Sequence, residues 1–160
     1  MRFVADEVSL RQWRVADAAV LVGAWHDPAI IAGSEPPDDR SFEAATRWIE
    51  GAGIREQRRL AIDRVIDVAG ECVGEVGLSD IDQRRGAALV GWWIAPDHRG
   101  NGYATVGLRA MVDVAASVEV TTLVAQIAVD NVASVTVAER AGFEMLRKGS
   151  AEQAHVYVCR

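Results

Sequence analysis

The stretch "WWIAPDHRGNGYATVGLRAMV", Trp92 to Val112, decides the fold of this chain. An apolar run ends at Pro96, passes through Asp97-His98-Arg99, and restarts behind Gly100 and Gly102 as a helix. That helix carries an apolar stripe of Leu108, Met111, Val112 and Ala115, at three- and four-residue spacing. A glycine turn between a strand and a helix aims unpaired backbone N–H groups outward, where the helix dipole adds positive potential. Glycines also let a phosphate come close to the backbone, so the turn is an anion site, and a nucleotide diphosphate is its natural occupant. Two phosphate loops do not fit. A Walker loop needs Lys and Ser or Thr after its last glycine, and Tyr103-Ala104 follow Gly102 instead. A dinucleotide fingerprint needs a third glycine where Thr105 stands, and an acidic residue after the next strand.

The rest of the chain alternates strand and helix signals. Ser9 to Val15 alternates as a strand, Asp17 precedes an apolar helix reaching Trp25, and His26-Asp27-Pro28 reads as a turn. "AGSEPPDDR" holds Pro36-Pro37, which cannot continue a helix, and so forms a loop. Ser41 opens the next helix, with Phe42, Ala45, Trp48 and Ile49 on one face as core. Three strands follow, Leu60 to Asp67, Cys72 to Ser79 and Ala87 to Ala95, joined by turns at Ala69-Gly70 and Gln83 to Gly86. Beyond them come a helix (Gly102 to Ala116), a strand (Thr122 to Val129), a helix (Asn131 to Ala141) and two strands (Glu144 to Lys148, Ala154 to Cys159). A meander followed by crossover helices predicts a mixed sheet with helices on both faces.

Composition narrows the function. With 160 residues, half of them apolar, the expectation is one domain over 1–160. "MRFVADEVSL" has Asp6 and Glu7 and no apolar core, unlike a secretory signal, and the apolar run Ala87 to Pro96 is too short to span a membrane. A cytoplasmic protein with no membrane partner is expected. Cys72 and Cys159 lie in apolar strand-like segments without the paired spacing of a zinc site, which predicts reduced core thiols and no metal. A net charge of -6 argues against nucleic acid as a partner, whereas a cationic small substrate suits it.

The opening stretch resembles the acetyl-CoA loop of the GNAT superfamily of N-acetyltransferases. Arg99, Gly102 and Ala104 match that loop in register, behind an apolar strand ending at Pro96. About thirty residues on, "VDNVASVTVAERAGF" supplies the family's Asn131, opening a helix that ends at Gly142-Phe143. Ser134, three residues after Asn131, makes the chain most similar to the ribosomal-protein N-terminal acetyltransferase subgroup. The resemblance covers about Val8 to Val158. It implies a GNAT-like α+β fold with a central, mixed but mostly antiparallel sheet of six to seven strands. It also implies acetyl transfer from acetyl-CoA to a primary amine, a peptide amino terminus or a small molecule, by direct attack. A homodimer is compatible with it. The alternative is an acyl-CoA-binding module of the same fold without catalysis.

By the same resemblance, the backbone of Trp93, Ile94 and Ala95 would pair with the pantetheine arm as an added strand. The pyrophosphate would rest on N–H groups of Arg99, Gly100, Asn101, Gly102, Tyr103, Ala104 and Thr105. Arg99 and Arg109 side chains would help, although a solvated helix face also explains Arg109. Asn131 would cap its helix and touch pantetheine, with a cap alone as the plainer reading. An alkyl ammonium, with a pKa of about 10, must lose a proton before it attacks. Here the chain departs from the family. Ala138 stands where many members carry a Tyr acid, and Leu89 and Val90 where a Glu is common. Ser134 matches the subgroup's acid. Glu75 is the nearest base, unless it is simply a strand carboxylate facing solvent, and Asp80 and His155 are weaker choices. Glu35, Asp38 and Asp39 make the first loop acidic, either to hold a cationic acceptor or as a solvated turn.

Overall fold

The computed structural model describes residues 7–160. Its elements run β1 (Val8–Arg11), a 3-10 turn (Val15–Asp17), α1 (Ala18–His26), α2 (Pro28–Ile31), α3 (Phe42–Glu50), α4 (Ala52–Gln57), β2 (Ala61–Val68), β3 (Glu71–Asp82) and β4 (Ala87–Ile94). A second 3-10 turn (Pro96–His98), α5 (Tyr103–Ser117), β5 (Thr122–Ile127), α6 (Val132–Arg140), β6 (Glu144–Arg147) and β7 (His155–Cys159) complete it. The seven strands form one sheet in the order β1-β2-β3-β4-β5-β7-β6. Among the described residues only β4 and β5 pair in parallel, because α5 carries the chain back across the sheet between them, and the other pairings are antiparallel. The six to seven strands expected are seven.

Local chemistry explains the boundaries. The Ser41 hydroxyl accepts the Ala44 N–H at 3.1 Å, and the Asn131 side chain accepts the Ser134 N–H at 3.1 Å, so both expected caps form. At His26-Asp27-Pro28 the expected turn becomes a start. Asp27 accepts the Ile30 N–H, Pro28 takes the first helical position, and α2 follows. The expected strand Ser9 to Val15 stops at Arg11, since the chain then bends into the 3-10 turn that brings Asp17 to the Arg11 guanidinium. Phe42 is 54 % exposed at the first residue of α3, while Ala45 and Ile49 face inward as expected.

Strand alternation sends side chains into two cores. Leu21, Ile49 and Val65 meet beneath α1 and α3, whereas Ile62, Ile66, Leu108 and Met111 meet beneath α5. The thiol of buried Cys72 is pushed up to about 12 by burial and then by the Asp17 charge, and neither it nor Cys159 forms a disulfide. Arg11 bridges Asp17 at 2.8 Å and Asp67 at 2.6 Å, and Asp67 also accepts the Gly70 N–H that turns β2 into β3. Burial raises the Asp17 carboxyl, but the Arg11 guanidinium and the Arg14 N–H outweigh it and leave the group below its ordinary value. Its share of stability is therefore present at neutral pH and lost as pH falls through the depressed pKa. Arg11→Met strands two enclosed carboxylates and is expected to cost about 2–4 kcal/mol in urea unfolding, less than a fully buried pair because the side chains keep some solvent. A loss under about 0.5 kcal/mol, the range of an ordinary surface change, would show that the network is not structural.

The feature that positions the site lies between β4 and β5. Their parallel ladder holds Ala87↔Thr122, Ala88↔Leu123 and Leu89↔Val124, and goes no further. β4 continues to Ile94 on β3, and β5 continues to Ile127 on β7. The two strands part after Leu89 and Val124, and the open edge of β4 borders a cleft in mid-sheet.

Candidate active site

The cleft leads to the glycine turn. Gly100 and Gly102 both take left-handed backbone, φ 81 and 78, with open space where a Cβ would stand. Between them the Asn101 amide donates to the His98 carbonyl at 3.0 Å and holds the turn's shape. The first helical bond of α5 runs from Val106 N–H to Gly102 C=O, so Tyr103, Ala104 and Thr105 have no partner four residues back. Among the described residues the N–H groups of Gly100, Asn101 and Gly102 also lack a protein acceptor. Tyr103 packs its ring toward the core, and Ala104 and Thr105 are buried, so these positions present backbone alone. The donors border a hollow of about 290 Å³ lined by Asn101, Gly102, Thr105, Val106, Arg109 and Arg140. Arg109 donates to the Arg140 carbonyl at the end of α6, which gives it a fixed place on the hollow's wall. Arg140 carried no signal in the sequence, because only the packing of α6 against α5 brings it there.

Arg99 behaves differently from expectation. Its backbone N–H closes the 3-10 turn on Pro96, and its guanidinium donates to Asp27 at 2.9 Å and to the Ile94 carbonyl at 3.0 Å. The Arg99 guanidinium holds the Asp27 carboxyl below its usual range and ties α2 to the glycine turn.

The strand expected to meet pantetheine also needs a correction. Ala95 N–H donates to the Val73 carbonyl at 2.9 Å, and a Cβ on Gly74 would collide with the Trp93 carbonyl. Trp93 and Ala95 therefore aim their polar backbone at β3. By strand alternation Trp92 and Ile94 aim theirs into the cleft, with the Ile94 carbonyl already taken by Arg99. Of the three expected positions only Ile94 faces the cleft, and Trp92 joins it.

Glu75 does not face solvent. It stands on β3 directly opposite Val65 and Trp93, and its Oε2 accepts the Trp13 indole N–H at 2.8 Å. Trp13 lies edge-on to Trp48, centroids 5.8 Å apart, and tilted against Trp93 at 6.3 Å. Arg55 stacks over Trp48 at 4.2 Å and pairs with Asp63 at 3.2 Å. Glu75 keeps some exposed surface while its carboxyl is enclosed, and burial, then the Asp63 charge, push it up to about 8 against the pull of the Trp13 and Trp93 indoles and Arg55. A carboxylate with that affinity for protons is matched to taking one from an ammonium near neutral pH. Trp13 from the link after β1, Asp63 from β2 and Arg55 from α4 had no sequence signal of their own.

Ser134 is half-buried in the first turn of α6, and its hydroxyl has no hydrogen-bond partner among the described residues, although its N–H is capped by Asn131. Asn131 spends its oxygen on that cap and keeps its amide donors. Ala138 is fully buried in the core, so a Tyr there would not fit without repacking. Asp80 sits at a bulge near the far end of β3, five residues from Glu75, and the His155 ring accepts the Gly149 N–H at 2.8 Å, so neither joins Glu75. Asp39 receives the Ser41 N–H and pairs with Arg47 in the open, and Glu35 and Asp38 are exposed.

The sequence pattern described as Acetyltransferase (GNAT) domain matches residues 7–144. A relative from Bacillus licheniformis, described as uncharacterized N-acetyltransferase p20, is 27% identical over 112 residues, and the match spans 68% of this chain but 62% of that protein. The fold superposes on the microcin C7 self-immunity acetyltransferase MccE, solved with acetyl-CoA and AMP, with TM-score 0.79 and 21% identity over 96% of this chain and 92% of that one. Mycobacterium smegmatis RimJ, solved with a CoA-disulfide, gives TM-score 0.77 and 23% identity over 94% and 80%. At such identities the two structures establish the shared fold. The pattern match over most of the length, with the parted strands and glycine turn where such a fold needs them, shows that this chain belongs to the GNAT acetyltransferase family.

Proposed function

We propose that the protein is an acetyl-CoA-dependent N-acetyltransferase acting on a primary amine, of the ribosomal-protein N-terminal acetyltransferase type. The carrying observation is that the unpaired N–H groups at the start of α5 and the cleft edge of β4 open on the same parted-strand site. The fit to the cosubstrate is good. Left-handed Gly100 and Gly102 leave space that a side chain would fill, and the donors around it are backbone groups that suit pyrophosphate in a protein of net charge -6. Arg109 and Arg140 suit a further phosphate, and the Trp92 and Ile94 N–H groups suit an extended amide-bearing arm.

Acetyl-CoA supplies an acetyl group activated as a thioester. The chain's own residues do the rest. Glu75 takes a proton from the acceptor ammonium, and Ser134 offers its free hydroxyl, backed by the Asn131 cap, as donor for the departing sulfur. The aromatic wall of Trp13, Trp48 and Trp93 limits water around Glu75, which keeps its proton affinity high. MccE and RimJ take coenzyme ligands in the same fold, which supports this reading.

The test is a screen with acetyl-CoA, following release of free thiol, across amino-terminal peptides, polyamines, aminosugars and amino acids. Turnover with one class is expected. Cosubstrate binding without turnover on any class would mark a non-catalytic module, the alternative that the core-bound Ala138 keeps open. Ser134→Ala should lower kcat by about ten- to a thousandfold and leave acetyl-CoA affinity within a few-fold, since a bond made mainly in the transition state changes rate more than binding. Unchanged kcat in the folded variant would remove Ser134 from the chemistry.

A further inference from the structure

The Glu75 carboxyl has a hydrogen-bond partner far from it in the chain. Trp13 lies 62 residues earlier, between β1 and the first 3-10 turn, and donates its indole N–H to Glu75 Oε2 at 2.8 Å. Trp13 is 8 % exposed and its ring is wedged by Trp48 at 89° and Trp93 at 38°, so the N–H cannot swing away without repacking the cluster. An indole nitrogen is a donor only, which means that Trp13 can serve both protonation states of Glu75 but can never receive its proton.

We infer that Trp13 is the positioning residue of Glu75: its fixed N–H pins Oε2 and leaves Oε1 as the oxygen that gains and loses the proton. The inference rests on the reading of Glu75 as the base. In the transfer step the acceptor's N–H bond breaks and an Oε1–H bond forms, leaving the amine with the lone pair that attacks. The other groups facing Glu75 do not fix its orientation. Asp63 from β2 acts through its charge, Arg55 from α4 is engaged by Asp63 and the Trp48 carbonyl, Cys72 stays a thiol, and the Trp93 indole on β4 pulls the carboxyl down less than Trp13 does. Among the described residues only Trp13 closes a hydrogen bond on it. A bond donated to the charged carboxylate also lowers its pKa.

The experiment titrates Glu75 in the full chain by infrared absorbance of the protonated carboxyl, identified as the band that Glu75→Gln lacks. Trp13→Phe keeps an aromatic wedge and deletes the donor. It should raise the midpoint by about half a unit to one unit, the worth of one hydrogen bond, and lower kcat about tenfold with the best acceptor of the screen. Trp25→Phe disturbs the same buried cluster from outside the aromatic wall around Glu75 and should leave the midpoint where it was. If Trp13→Phe does not fold, 3-benzothienylalanine at position 13 gives the indole's shape with sulfur for the N–H, and the same rise is expected. An unmoved midpoint in the Trp13 variant, or an equal rise in Trp25→Phe, would overturn the inference. A midpoint shift with wild-type kcat would overturn the positioning role. The infrared readout needs no acceptor, so a chain that acetylates nothing would count against the proposed function while leaving the Trp13–Glu75 bond separately measured.

Discussion

Glu75→Gln will lower kcat/KM for the amine by about a hundred- to ten-thousandfold while acetyl-CoA affinity holds, the range expected when a general base is removed. The carboxyl is set up for that task by its surroundings: burial and the nearby Asp63 charge lift it to about 8, and the Trp13 N–H holds it without neutralising it. In the parent, kcat/KM should climb tenfold per pH unit below about 8 and level off above, and the variant should lose that inflection. Stability should move the other way. Folding lifts the carboxyl from 4.5 to about 8, so the folded chain keeps a proton that the unfolded chain gives up, and stability falls as pH rises across that window. Gln carries no such titration and still accepts the Trp13 N–H. The variant should therefore gain melting temperature on the parent toward pH 8 and above while losing turnover. A Glu75→Gln enzyme with parental kcat/KM would move the base elsewhere, and one that melts lower at pH 9 would contradict the lifted carboxyl.

Gly102→Val will abolish acetyl-CoA binding. In the parent, ligand at a hundredfold excess over Kd should stabilise by about 2.7 kcal/mol, roughly 5–10 °C in Tm. At Gly102 a side chain would stand in open space beside the 290 Å³ hollow, where the N–H donors of the α5 start must be reached. Valine also strains the left-handed backbone, φ 78, by about 1–2 kcal/mol, and that cost must be kept apart from lost binding. Gly70→Val separates them. Gly70 has φ 90 and open space around it, at the β2–β3 turn, so the control carries similar strain away from the glycine turn. Both variants should melt lower without ligand, and only Gly70→Val should regain the ligand shift. A full shift in Gly102→Val would mean that the glycine turn is no more than a turn.

Much of this architecture was legible in the sequence because its signals are local. The caps at Ser41 and Asn131, the left-handed glycines and the strand and helix periods depend on residues within about four positions of one another. They pointed to the order of the strands and longer helices and to the glycine turn ahead of α5, whereas the short helices α2 and α4 left no such signal. Local signals misled where a distant partner intervened. Arg99 matched the loop pattern, yet its guanidinium crosses to Asp27, 72 residues away. Trp93 and Ala95 matched the pantetheine strand, yet β3 claims their backbone, because which side of a strand is free depends on its neighbour's register. Glu75 shows the limit most plainly. Periodicity places a carboxylate on a strand and cannot say what covers it. Trp13 from before α1, Trp48 from α3, Asp63 from β2 and Arg55 from α4 converge on it only when the sheet and its helices close, and that enclosure, not the residue type, turns an ordinary glutamate into one that holds its proton to about pH 8.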